Sequence, residues 1–400
     1  MKTGTPPYLV LRDLPFTQDI LDAGGMVYAV GGFVRDFFIG KESKDLDILV
    51  TKVSFEDLIE ILRPYGKNDL VGASFGIIKH KPNGSDEDID IAFPRKEVKN
   101  GSGYQGFSVV SDPFLPIEDD LRRRDLAMNA MAMDVHGNLI DPFSGMKDIK
   151  NKVINITDEN TFFDDPLRLL RIVSFSARFN FTIEPKTMAL IQANAHLIKE
   201  ITGERILIEL EKITAKGNPR TGIELLVSTG LFKHIFGFDF RGEMYSIGYV
   251  KTLGRFIFEL MKGNNVSAQK IYLERLRGDS DTGKEILAYE KLEKGLDVSD
   301  TLQRKLAFFN ALNTSPRVLE FGQVPDEMQE FLKAFKSGKY PRNLKELNVN
   351  GNDLMGVGLK GIEVGEMFNN ILSQVLNDTL KNDHKVIMDY VVSLRMKKLS

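Results

Sequence analysis

The chain has 400 residues, of which 42% are hydrophobic and 27% charged, with a formal net charge of −3 and no cysteine. That length exceeds what one core organises and predicts two to four domains of a soluble globular protein. Disulfides and thiolate zinc sites are excluded, no apolar run is long enough to span a bilayer, and the slight acidic excess leaves only a local basic surface for any nucleic-acid role.

The opening MKTGTPPYLVLRDLP lacks the apolar core of a signal peptide, so a cytoplasmic protein is expected. Residues 16–23 predict a short helix stopped by Gly24 and Gly25. Tyr28, Ala29 and Val30 form a β-type run ending at Gly31 and Gly32, and residues 34–39 then have helical character as far as Gly40. Two glycines at a strand-to-helix turn let a ligand approach the backbone. The N–H groups of the first helical turn favour an anion, as does the guanidinium of Arg35, so a triphosphate fits there. In residues 45–50, DLDILV, acids and aliphatics alternate, so a strand would carry Asp45 and Asp47 on one face. Paired carboxylates beside a phosphate cradle suit a hard divalent cation such as Mg²⁺.

Residues 54–63 predict a helix with Ser54 as its cap and Glu56 and Asp57 in the first turn. Two β-type runs, 75–81 and 88–93, flank Pro82-Asn83-Gly84-Ser85, which is hairpin chemistry, and the second carries Asp88 and Asp90 on one face. Residues 96–117 lose periodicity and predict a long loop. Residues 118–134 begin with a charged cluster and turn apolar, which suits a helix with a solvated start. In residues 164–179, Arg168, Arg171 and Arg178 fall on one helical stripe with Asp164, suited either to a surface ion-pair row or to gripping a nucleotide. The five histidines are isolated, without ligand spacing.

The pattern G-G-x-V-R-D followed by D-L-D, in residues 31–36 and 45–47, resembles the signature of the class II tRNA CCA-adding nucleotidyltransferases and the related bacterial poly(A) polymerases. Further motifs carry the same resemblance. Residues 90–95 are similar to an acid-apolar-x-x-F-R segment, departing in carrying Pro94; residues 123–132 to R-R-D-F-T-x-N-A, with Leu126 and Ala127 in place of Phe-Thr; residues 164–168 to E-D-x-x-R, with Asp164 for Glu. Residues 139–145, 204–212 and 347–367 resemble the family's D-P-F-x-G link, its buttressing helix and its tail.

The resemblance implies an α+β fold: an N-terminal nucleotidyltransferase head, residues 1–153, with a small mixed sheet and helices, then an all-helical neck (154–215), body (216–325) and tail (326–400). It implies that Asp45 and Asp47 hold Mg²⁺, that Asp90, with Asp88 as rival, is the third carboxylate, and that Gly31, Gly32, Arg35 and Arg124 receive the triphosphate. Asp125 and Asn129 would support the site. Asp165 and Arg168, with Arg171 beside them, would read the base edge of CTP or ATP, whose amine beside an acceptor distinguishes C and A from U and G. Ser174 stands where many relatives have another arginine. The implied partners are CTP, ATP and the tRNA 3′ end, with no membrane and no obligate protein partner. The 96–117 loop corresponds to one needed for adding the terminal A. The implied alternatives are a poly(A) polymerase, a partial enzyme adding only CC or only A, or an inactive tRNA-binding protein.

Overall fold

A computed structural model of the chain describes residues 4–43, 45–71, 76–99, 107–242, 250–320 and 326–399. They fall into two compact units, Met1–Phe238 and Asp239–Ser400. Both the mixed sheet and the predominance of helix after it agree with the expected α+β class.

The first unit is built on seven strands: β1 (Met26–Val30), β2 (Asp47–Thr51), β3 (Gly66–Val71), β4 (Ile77–Pro82), β5 (Ile89–Ala92), β8 (Ala132–Asp134) and β9 (Leu139–Ile140), in the order β3-β4-β5-β2-β1-β8-β9. All neighbours are antiparallel except β2 and β5. β1 is central and apolar on both sides, which is why its sequence shows a continuous run rather than alternation. Tyr28 and Val30 face a cluster with Leu49, Ile117 and Leu121, the last two from α5 (Ile117–Arg122). Helices α1 (Pro7–Asp13), α2 (Thr17–Asp22) and α3 (Gly32–Ile39) pack against β1, and α4 (Phe55–Leu62) against β3. The expected caps are present. Ser54 Oγ accepts from the Asp57 N–H at 3.1 Å, and Gly40 closes α3 at φ 76°, a left-handed position that glycine occupies without strain.

The fold departs from the sequence expectations in several places. β2 starts at Asp47, so Asp45 lies on the approach to the strand rather than within it. Residues 66–71 and 132–134 form strands that no clear period-2 pattern announced; β3 is held by pairing with β4, and β8 by pairing with β1. The segment expected to be one long loop contains a hairpin, β6 (Arg95–Lys99) against β7 (Phe107–Ser111), because the β-branched Val98, Val109 and Val110 supply strand propensity on both sides of its glycines. Residues 72–75 and 100–106, where part of a predicted strand and the centre of the predicted loop fall, lie outside the described residues.

Helices complete this unit: α6 (Gly145–Asn151), α7 (Glu159–Phe162), α8 (Leu167–Phe179), α9 (Pro185–Asn194), α10 (Gly203–Lys216), α11 (Pro219–Ser228) and α12 (Leu231–Phe236), with a short parallel pair β10 (Val153–Ile154) and β11 (Thr182–Ile183). In α8 every residue except Arg171 and Arg178 is buried, so it is a central helix, packed by α10 and α11. A surface row of ion pairs is therefore ruled out for it. Asp164 precedes the helix, in the turn that follows α7, and does not share the arginine stripe. The second unit, as described, is helical throughout. Its core gathers Phe308, Phe309, Phe331 and Phe335 with Leu354, Ile371 and Val391 from later helices. Among the described residues no helix is long and apolar enough to cross a membrane.

Candidate active site

Parallel pairing of β2 with β5 sets Asp47 opposite Asp90, while Asp88 lies before β5 and is exposed. The acid face expected from alternation therefore exists, and its second strand contributes Asp90. On the far side of β5, Lys79 of β4 stands opposite Asp90, its Nζ 3.5 Å from Asp90 Oδ1. Asp47 is solvent-accessible but set within the walls of a cleft. Partial loss of water pushes its carboxyl above the ordinary value; Arg124 opposes this, and the neighbouring charges of Asp90 and Asp45 add to it. Such mutual repulsion is what a divalent cation relieves. Among the described residues no group of three or more His, Cys, Asp or Glu encloses an ion by itself. Two carboxylates whose shell is completed by phosphate oxygens and water are the donor set Mg²⁺ accepts, so the residues fit it.

The chain leaves β1 through Gly31, at φ 68° and ψ −126°, and enters α3 at Gly32. A Cβ on Gly31 would come within 2.4 Å of Arg124 Nη1, so the glycine is required both by backbone conformation and by the approach of that guanidinium. Arg124 is fixed in turn by Asp120, which is 1% exposed: Nη2 donates to Oδ2 at 3.0 Å, and Arg123 Nε to Oδ1 at 2.9 Å. Burial raises the Asp120 carboxyl, but Arg124, Arg123 and Arg95 outweigh it and hold the group below the usual carboxylate range. Arg35 is buried, its Nε on Asp36 at 2.8 Å and its Nη1 on Asn129 Oδ1 at 2.5 Å. Its guanidinium thus ties α3 to Asn129 as well as lining the cleft.

Behind this turn a polar chain runs into the helical layer. Asn129 Nδ2 donates to Asp125 Oδ1 at 3.0 Å, and Asp125 Oδ2 accepts from Arg171 Nε at 2.7 Å. Burial pushes the Asp125 carboxyl up, yet Arg171 and the Asn129 bond more than compensate and hold it low. Arg171 also lies 3.6 Å from Glu209 of α10, while Ser174 Oγ donates to the other oxygen of Glu209 at 2.8 Å. Ser174 thus braces Glu209 and does not line the cleft. Phe175 lies between Arg35 and Arg171, 5.3 and 5.2 Å from its ring centre.

On the opposite wall, Asp165 Oδ1 accepts from the Leu167 N–H at 3.1 Å and starts α8, while Oδ2 accepts from Arg205 Nη2 at 2.8 Å. Arg168 donates to the carbonyls of Thr161 at 2.7 Å and Arg123 at 2.8 Å, tying α8 to the end of α7 and to the end of α5.

All of these meet in one cleft of about 530 Å³, walled by Asp47 and Asp90, by Gly32, Arg35 and Arg124, by Asp125 and Asn129, and by Asp165, Arg168 and Arg171. Gly31 and Asp45 do not line it; Gly31 shapes the turn and Asp45 acts on Asp47 through charge. Arg95, Asp120, Arg123, Phe175 and Arg205 belong to it and were not expected. Asp120 could have been found, since Arg123 and Arg124 stand three and four residues on, the spacing of helical ion pairs. Phe175 has no such signal in the sequence.

A family model described as the Poly A polymerase head domain matches residues 27–155, and one described as the probable RNA and SrmB-binding site of polymerase A matches residues 180–238. The CCA-adding enzyme of Blochmanniella pennsylvanica is 38% identical over 212 residues, 52% of this chain and 50% of that protein, and the one of Ligilactobacillus salivarius is 28% identical over 97% of each. The chain spans about half the length of several such relatives, among them the first of these two. A crystal structure of the Bacillus stearothermophilus CCA-adding enzyme in complex with CTP superposes with a TM-score of 0.74 at 25% identity, covering 99% of each chain.

Proposed function

Because the chain belongs to the family of CCA-adding enzymes and bacterial poly(A) polymerases, we propose that it adds C, C and A to the 3′ end of tRNA, taking CTP and ATP as donors and no nucleic-acid template. The division into head (1–153), neck (154–215), body (216–325) and tail (326–400), and a cytoplasmic location, are part of the same proposal.

The family uses divalent metal ions, and in this reading Asp45 and Asp47 hold Mg²⁺, which when bound lowers the pKa of the primer hydroxyl and offsets charge on the leaving pyrophosphate. The chain's own residues do the rest. Asp90, across from Asp47, orients the primer 3′-OH or accepts its proton as it attacks the α-phosphate in line. The α-phosphorus–oxygen bond to pyrophosphate breaks as the new phosphodiester forms. Gly32 with Arg35 and Arg124 receives the triphosphate, and Gly31 lets the Arg124 guanidinium approach. Asp125 and Asn129 join the turn to α8. Asp165 accepts from the exocyclic amine of C or A while Arg168, with Arg171 beside it, donates to ring acceptors; U and G present the opposite order. Asp165 is held by Arg205 and the Leu167 N–H, and Arg168 by two backbone carbonyls, so the pair that reads the base is fixed in place.

The observation that carries this reading is the common cleft: an acid pair set by strand register and an Asp–Arg pair at the start of α8 face the same space. Incubating a tRNA that ends at the discriminator base with each nucleoside triphosphate, singly and together, tests it. Addition of C, C and A and no more is the expected result. An unbounded A tail indicates a poly(A) polymerase, arrest after CC or after a single A a partial enzyme, and no pyrophosphate release an inactive RNA-binding protein.

A further inference from the structure

The strand register places more on the acid face than the acid pair. Asp47 of β2 stands opposite Asp90 of β5, Asp90 opposite Lys79 of β4, and Lys79 opposite Asp69 of β3. Residues directly opposite in a ladder share a face. The four therefore form one row across the sheet, while Ile48, Ile78 and Ile91 beside them are buried on the other face. Neighbouring strands lie about 4.8 Å apart, so Lys79 is one step beyond Asp90 and two beyond Asp47. Ile77, two residues before Lys79 and on the same face, lines the cleft, which puts Lys79 at its rim. The Lys79 side chain is 43% exposed, with Nζ 3.5 Å from Asp90 Oδ1. Two residues further along β4, Lys81 stands opposite Lys67 of β3, and both are exposed. Like charges directly opposite each other are unfavourable, and an anion laid along this face relieves them.

The two ends of the row differ. β1 flanks β2 on the side away from β5 and leads into the glycine turn, so the triphosphate of the proposed reaction lies at the β1 end. In an in-line displacement the attacking and leaving oxygens stand on opposite sides of the phosphorus. The primer hydroxyl therefore reaches Asp90 from the β4 end, and it brings its own nucleotide's phosphate towards two carboxylates that repel it. We propose that Lys79 takes the phosphate of the primer's 3′-terminal nucleotide and so sets the 3′-OH over Asp90. This deepens the reading of the chain as a nucleotidyltransferase acting on an RNA 3′ end, and rests on it. Lys79 is a positioning residue. Its ammonium exchanges an exposed ion pair with Asp90, of a kind that contributes little, for a charge-assisted contact with phosphate, and Asp90 is left to face the hydroxyl. Asp69, one strand further out, repels a phosphate that overshoots Lys79.

The test uses the full chain and a tRNA ending at the discriminator base, made either with natural linkages or with an uncharged methylphosphonate at its last internucleotide linkage. The addition of the first C is followed. Lys79→Gln lowers kcat/KM for natural tRNA about tenfold, the size of a lost hydrogen bond to a charged group, and leaves KM for CTP unchanged. The wild type loses about as much when only the last linkage is neutral, and the same substitution one linkage earlier has a smaller effect. Lys79→Gln loses nothing further on the neutral-linkage tRNA, because variant and linkage remove the same contact. Lys79→Arg restores both the efficiency and the sensitivity to the linkage. Losses that multiply overturn the proposal, since they mean that Lys79 acts on Asp90 and not on the phosphate; so does wild-type efficiency in Lys79→Gln. Failure of the wild type to extend natural tRNA overturns instead the function on which the proposal rests.

Discussion

Exchanging Asp90 for asparagine should remove most of the chemistry and little of the fold, while the same change at Asp88 should do neither. The strand register sets Asp90 opposite Asp47. Two residues back along an extended chain is a displacement of about 6.6 Å, too far for Asp88 to serve the same reacting atoms. A positioned proton acceptor contributes about 10² to 10⁴ in rate, which is about 2.7–5.4 kcal/mol of barrier at 1.36 kcal/mol per tenfold. On the stability side, Asp90→Asn gives up one ion pair, with Lys79 at 3.5 Å, between side chains that are 47% and 43% exposed. Pairs of that kind are worth about 0.2–1 kcal/mol, and the loss is offset by relief of repulsion with Asp47. Single-turnover CMP incorporation, with the unfolding midpoint measured in parallel, should therefore show a collapse in rate at an almost unchanged midpoint for Asp90→Asn. An Asp90→Asn enzyme within tenfold of wild type, or an Asp88→Asn enzyme that collapses, would refute the assignment of the third carboxylate from register.

Gly31→Ala forces a side chain into a glycine-only backbone region and against Arg124; a cost of about 1–3 kcal/mol in denaturant unfolding and a higher KM for CTP and ATP are expected. Arg168→Ala should weaken discrimination against UTP and GTP, and by orphaning the carbonyls of Thr161 and Arg123 it should destabilise by about 1–3 kcal/mol for each that water fails to reach. Unchanged selectivity in competition assays would remove Arg168 from base reading. His80 is fully buried, with Nδ1 2.7 Å from Asn68 Oδ1, and burial lowers its pKa below 6.5. The unfolded state therefore takes up the proton first as pH falls, so this group's contribution is complete above about pH 6.5 and is lost as pH drops through the lower folded value. Unfolding midpoints followed from pH 7.5 to 5 should decline, and His80→Leu should flatten that decline.

The legible parts of the site were those whose chemistry is written locally. The glycine pair after β1, the acid–aliphatic alternation at 45–50 and the Asp165-Pro166 helix start each describe their own backbone; the glycine turn formed where expected, the strand took up the alternation from Asp47 on, and the helix began just after Pro166. Arg205 and Phe175 stayed hidden, because Arg205 meets Asp165 40 positions away and Phe175 meets Arg35 across the fold, whereas Asp120 was legible from the helical spacing of Arg123 and Arg124. The hairpin of β6 and β7 stayed hidden for a different reason. Its glycines and prolines mask a valine content that acts only once two segments pair.

From the residues alone it follows that this chain bears a glycine turn for an anion, carboxylates on a strand edge and an arginine-rich helix, since side-chain periodicity and turn conformation are local properties. Only the folded chain decides that Asp90 rather than Asp88 meets Asp47, that Arg35 and Arg168 bond to the scaffold of the cleft they line, and that His196 approaches His234. The reason is physical: alternation assigns a residue to a face, but the partner across that face is chosen by strand register and helix packing, which depend on contacts far apart in sequence.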